Sequence, residues 1–140
     1  MNIDWLTRLG NTTMTSQVLT HSRLKVISKM AQTTEDHISR LGIGLSIREG
    51  AVESNWNPTE LGSSDLPLVV ITGKSIRGKT LFKSDLPLFC ALVLTNQIPQ
   101  DYEDWRNTLS SHWERGVELL AKICSQENDW LRVIDSLPIS

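Results

Sequence analysis

The chain has 140 residues, 39% hydrophobic and 21% charged, with a formal net charge of −2, which describes one ordinary globular domain able to bury its own core. No run approaches the roughly 18 apolar residues of a membrane span. Met1-Asn2-Ile3-Asp4-Trp5 also lacks the basic start of a secretory leader, so a cytoplasmic protein is expected.

The first 20 residues open with Ile3, Trp5, Leu6 and Leu9, then turn polar, and read as a loosely held N-terminal arm. Residues 21–140 read as a single helical domain. From His21, Leu24, Ile27 and Met30 or Ala31 recur about one turn apart, predicting a helix. Thr33 with Asp36 predicts a capping box for a second helix, whose stripe runs Ile38, Leu41, Leu45 and on to Arg48. Gly42 and Gly44 cost that helix propensity, which predicts close approach of another backbone at both.

Residues 54–67, rich in Asn, Pro, Gly and Ser, predict a loop. Leu68–Thr72 and Ile76–Phe82 predict two short strands folded around Gly73-Lys74 as a hairpin. Asp85 predicts the cap of a helix over Leu86–Leu94, with Pro87 tolerated in its first turn. After Pro99 the stripe Trp105, Leu109, Trp113 (or His112), Val117, Leu120 and Cys124 predicts the clearest helix of the chain. Trp130, Ile134 and Leu137 predict a last short one. The fold class expected is mainly α: a compact bundle of about five helices with a central loop or short β-hairpin.

The segment Gly73-Lys74-Ser75-Ile76-Arg77-Gly78-Lys79-Thr80 satisfies the phosphate-loop pattern G-x-x-x-x-G-K-[ST]. A working loop of that kind needs a long helix starting at its Lys-Thr, whose amides and dipole receive the phosphates. Ser84, Asp85 and Pro87 break such a helix, and no apolar strand downstream ends in an acid for magnesium. The residues after Thr80 are also expected to be too few for the rest of a parallel sheet. Nucleotide hydrolysis is therefore not the expected function.

Other chemistry finds no better footing. His21, His37 and His112 have no second ligand at metal spacing, and Cys90 and Cys124 read as buried thiols without C-x-x-C spacing. The pairs Glu49/Glu53 and Glu114/Glu118 stand one helical turn apart and read as exposed helical acids. Trp105, Trp113 and Trp130 read as core; Trp5 and Trp56 are freer. No catalytic residue, metal or cofactor is expected, and binding is the surviving class.

Charge is distributed unevenly. Residues 21–34 carry Arg23, Lys25 and Lys29 without a carboxylate, and residues 73–84 carry Lys74, Arg77, Lys79 and Lys83 without one. Residues 100–140 carry eight carboxylates against four basic groups. A molecule so polarised can present its basic side to phosphate.

These segments also carry a resemblance. Leu24-Lys25-Val26-Ile27-Ser28-Lys29, Thr33-Thr34 and the run from Ile38 through Leu45-Ser46-Ile47-Arg48-Glu49 resemble the opening helices of the DndE family, the small protein of bacterial DNA sulfur-modification (phosphorothioation) systems. Gly73 to Phe82 is similar to that family's basic segment before an apolar helix, and His112-Trp113-Glu114-Arg115-Gly116-Val117 to its late helix. The resemblance covers about residues 22–123. The family's Gly and Pro-Asn turn is replaced by Gln32-Thr33-Thr34-Glu35-Asp36, and its glycine after Phe82 is Lys83.

What the resemblance implies is a non-catalytic, mainly α subunit that binds duplex DNA with a preference for nicks. It further implies assembly as a tetramer, alongside a sulfur-transfer enzyme and an ATPase. Carried over by position, Lys25, Lys29, Lys74, Arg77 and Lys79 face phosphate, and Lys83 completes the basic patch. The competing expectation is a protein–protein adaptor using Trp5, Trp56 and the acidic C-terminal region without touching DNA.

Overall fold

The computed structural model describes residues 3–138. They form seven α-helices: α1 (Ile3–Asn11), α2 (Val18–Ala31), α3 (Glu35–Glu49), α4 (Gly78–Phe82), α5 (Leu86–Val93), α6 (Tyr102–Cys124) and α7 (Trp130–Ser136). Two three-residue strands, β1 (Thr13–Thr15) and β2 (Ser75–Arg77), and two 3-10 turns, Gly62–Ser64 and Lys83–Asp85, complete the described elements. The protein is mainly helical, as its hydrophobic periodicity dictates.

The centre of the fold is the packing of α3 on α6. Helix α6 starts at Asp101, whose side chain accepts the Asp104 amide, and it buries the expected stripe from Trp105 to Cys124. Its long apolar face contributes more buried core residues than any other helix. Helix α3 presents a different kind of surface. Ser39, Gly42, Ile43 and Ser46 are all buried, so mostly small residues face the partner helix and let the two backbones meet. A β-carbon on Gly42 would stand 2.9 Å from the Gly116 carbonyl carbon. The close approach expected at Gly42 is therefore present, whereas a β-carbon at Gly44 would meet nothing within 4 Å.

Several polar groups carried into this interface are partnered. Trp113 Nε1 donates to Ser39 Oγ (2.9 Å), and Ser46 Oγ lies 2.8 Å from His112 Nδ1. Arg115 reaches over the end of α3 to donate to the carbonyls of Ser46, Gly50 and Ala51. Helix α3 begins one residue later than the capping box suggested. Thr34 is the cap and accepts the His37 amide, while Thr33 Oγ1 bonds the His37 ring.

Two further expectations are corrected. Leu68–Thr72 forms no strand, and the strand expected over Ile76–Phe82 ends at Arg77, with α4 beginning at Gly78; its partner is β1, antiparallel, with Thr13 opposite Arg77, Met14 opposite Ile76 and Thr15 opposite Ser75. The stretch expected as a loose arm is packed, since Leu9 and Met14 are buried in the same core as α6. Helix α1 is clasped further by Arg8, whose guanidinium lies 3.6 Å over the Tyr102 ring, and by Thr12 against the Tyr102 hydroxyl. Short-range pattern cannot reveal a strand whose partner lies 60 residues away.

Candidate nucleic-acid interface

The segment with phosphate-loop letters folds as β2 running into the single turn of α4, and its glycines are explained by packing. A β-carbon on Gly73 would stand 2.0 Å from the Ser16 carbonyl oxygen, and one on Gly78 2.3 Å from that of Leu9. Two of the amides that a phosphate loop would present are engaged elsewhere. Lys74 N–H donates to Ser16 Oγ (3.0 Å), Gly78 N–H to the Thr12 carbonyl (2.9 Å), and β2 is laddered to β1. Helix α4 ends after five residues at Phe82. This geometry is an edge of sheet and a corner, without the cradle of free amides that receives a triphosphate.

The same geometry sorts the basic residues into two groups. Lys25 and Lys74 converge on Glu35 at the start of α3, with Lys25 Nζ 2.9 Å from Oε2 and Lys74 Nζ 3.1 Å from Oε1. His21 Nε2 stands 3.6 Å from the same carboxylate, and Asp36 lies 3.9 Å from Lys74. Burial opposes the charge on Glu35, but the hydrogen bonds and charges of Lys25 and Lys74 outweigh it and hold its carboxyl below the usual range. Lys74 is largely covered, and Lys25 is spoken for. Neither offers an uncompensated charge.

Arg77, Lys79 and Lys83 form the other group. All three are exposed, they fall within seven consecutive residues, and none has a carboxylate within ion-pair distance among the described residues. Lys79 and Lys83 face an open cleft of about 400 Å³ beside α1, with Thr7, Asn11 and Ser84 on its walls. Arg77 shares the exposed face of the small sheet with the hydroxyls of Thr13, Thr15 and Ser75. Lys29 is also exposed and without such a carboxylate, but it stands in the last turn of α2, on the stripe of Lys25 rather than in this group.

Lys83 has an unusual backbone, with φ 51° and ψ −130°. That conformation belongs to glycine, and an L-residue held there is strained by about 1–3 kcal/mol.

The buried charged groups tie segments of the fold together. Arg23, 1% exposed, donates to Glu118 (3.1 Å), Asp65 (3.0 Å) and the Thr59 carbonyl (2.6 Å). Glu118 also accepts the Thr59 amide, and Glu114 accepts that of Gln17. The expectation of exposed acids at Glu114 and Glu118 is thus corrected: both are buried, one anchoring the loop after α3 and the other the entry to α2. Helical spacing could not show this, because the groups that neutralise them come from other segments. Burial drives the Glu114 carboxyl upward.

His112 is pushed down to about 4 by burial and by the Arg115 charge, so it is neutral at physiological pH. Burial raises the Cys90 thiol to about 12 and that of Cys124 to about 11, which keeps both protonated. Among the described residues no group of three or more His, Cys, Asp or Glu is placed to hold a metal ion. No helix among them is long and apolar enough to cross a membrane.

Comparison with known proteins adds no assignment: no family model matches the chain, and no curated protein or solved structure matches significantly.

Proposed function

We propose that the chain is a non-catalytic DNA-binding subunit that grips the backbone of duplex DNA through Arg77, Lys79 and Lys83. The observation that carries this reading is the exposed, unneutralised state of those three cations beside a hydroxyl-lined strip of sheet. Lysine, arginine, serine and threonine are the side chains that position a protein on phosphates without reading sequence. The likeness of the residue order to DndE supplies the setting: an accessory role in DNA phosphorothioation, on intact or nicked duplex, with a sulfur-transfer enzyme, an ATPase and further copies of itself as partners. Lys29 extends the surface along α2. Lys25 and Lys74 contribute through Glu35, whose carboxylate competes with phosphate for both.

The test is fluorescence anisotropy on labelled intact and nicked duplexes at several salt concentrations. Replacing Arg77, Lys79 and Lys83 together by Ala should weaken binding by about tenfold or more at low salt. The slope of log affinity against log salt should flatten by about 0.9 for each lost phosphate contact. The Lys25/Lys74 double Ala variant should cost much less. Equal affinities for wild type and the triple variant would overturn the proposed surface.

A further inference from the structure

The open cleft of about 400 Å³ between α1 and the chain from Lys79 to Pro87 falls within the roughly 300–1,000 Å³ of small-ligand sites. Its lining is mixed in a particular way. Leu6, Leu86 and Pro87 supply an apolar surface, and the exposed Asn11 and Ser84 supply uncharged hydrogen-bonding groups. Lys79 and Lys83 supply charge, and no carboxylate is among the described residues that line the cleft.

Two features bear on why this space exists. Gly10 of α1 also lines it, yet a β-carbon there would meet Lys79 Cβ at 3.6 Å and Leu86 Cδ2 at 4.0 Å, ordinary contact. Close packing therefore does not demand the glycine; its bare α-carbon leaves the cleft open, at a cost in helix propensity. Lys83 holds its φ of 51° at the rim, and backbone strain of this kind clusters at active sites and ligand clamps.

From this combination we infer that the cleft seats one nucleoside monophosphate unit, its phosphate between Lys79 and Lys83 and its base on Leu6, Leu86 and Pro87. A phosphate monoester carries about two negative charges at neutral pH, as do the two diesters that flank one nucleotide of a strand. Two cations without acidic partners match either. Apolar side chains receive the face of an unstacked base, and the Asn11 amide, which both donates and accepts, suits its edge. This is a different site from a phosphate loop, because side chains rather than backbone amides meet the phosphate. The inference deepens the DNA reading and rests on it for the role of Lys79 and Lys83. A free nucleotide and an unpaired nucleotide of a strand present the same chemistry, and the experiment separates them.

Isotope-labelled full-length protein titrated by NMR with adenosine monophosphate, adenosine and inorganic phosphate tests the cleft. The nucleotide should shift the amides of Leu6, Gly10, Lys79 and Ser84 and bind at least about tenfold more tightly than either fragment. Gly10→Leu should fill the cleft and remove binding. Lys79→Ala and Lys83→Ala, at exposed positions that do not endanger folding, should each weaken it about tenfold. Anisotropy with a duplex carrying one unpaired nucleotide assigns the source. Tighter binding of that duplex than of a fully paired one, lost in Gly10→Leu, makes the occupant a nucleotide of the strand; equal binding makes it a free nucleotide. Shifts confined to another surface, inorganic phosphate bound as tightly as the nucleotide, or undiminished binding by the lysine variants would overturn the inference. Duplex binding without nucleotide binding overturns it and keeps the DNA reading, whereas nucleotide binding without duplex binding keeps the cleft and overturns that reading.

Discussion

Gly116 lies so close to Gly42 that a β-carbon on Gly116 would stand 1.9 Å from the Gly42 carbonyl oxygen. The overlap is with backbone, which no rotamer change relieves. Gly116→Ala should therefore separate α3 from α6 and destabilise the protein by about 3 kcal/mol or more. Gly42→Ala meets its nearest atom at 2.9 Å and should cost less. Urea titration of both variants checks the order; a harmless Gly116→Ala would contradict the packing of the two helices.

Lys83→Gly should stabilise the chain by about 1 kcal/mol. Relief of a φ of 51° with ψ of −130° exceeds the extra backbone freedom that glycine brings to the unfolded state. On the proposed DNA surface the same variant would remove one phosphate contact, so DNA affinity should fall a few-fold as stability rises. Opposite signs in denaturation and anisotropy would separate the two roles of this position.

Glu35→Gln keeps the shape of the side chain and removes the charge that holds Lys25 and Lys74. Stability should fall by about 1 kcal/mol, given a partly exposed ion-pair cluster. Low-salt affinity for duplex DNA should rise about threefold as both lysines become available, with a steeper salt dependence. An unchanged affinity would place Lys25 and Lys74 away from the nucleic acid.

His112 sets the response of stability to mild acid. Its folded pKa, about 4, lies below the ordinary 6.5, so the unfolded chain binds a proton more readily between those values. Stability is complete above about pH 6.5 and falls as pH drops toward 4, by a total of about 3 kcal/mol. Glu35 and Asp65, both held below their usual values, add loss of the same sign at lower pH; Glu114, raised by burial, acts oppositely just above its ordinary 4.5. Denaturant midpoints measured between about pH 5.5 and 7 isolate the histidine. His112→Gln should flatten that part of the profile.

The elements best foretold by sequence are those whose contacts are local. The stripe of α6 repeats large apolar residues, and its burial follows from spacing alone. The inner face of α3 is legible only at Gly42, whose helix cost signals a close backbone; Ser39 and Ser46 are small and polar, and a hydrophobic count assigns them to solvent. Of the stripe expected on this helix, Ile38 and Leu45 are buried, but Leu41 is only half-buried and Arg48 is exposed on the outer side. Charge counted within a segment misled in the same way. Residues 73–84 contain no acid, but Glu35 reaches Lys74 from α3, while Arg77, Lys79 and Lys83 keep the exposure their composition suggested. The apparent phosphate loop was a coincidence of two glycines, each needed by a neighbouring backbone.

The ladder between β1 and β2 has a kinetic consequence. It joins positions 60 residues apart, so its closure costs more chain entropy than any turn of α2, α3 or α6. Helices and their local contacts assemble early, and such a pairing becomes favourable only once they hold its two ends near each other. The cations of the basic corner are thus arranged last. A chain that has gained its helicity but not this pairing lacks an ordered basic corner; if that corner binds DNA as proposed, the onset of affinity during refolding is a clock for the final step of assembly.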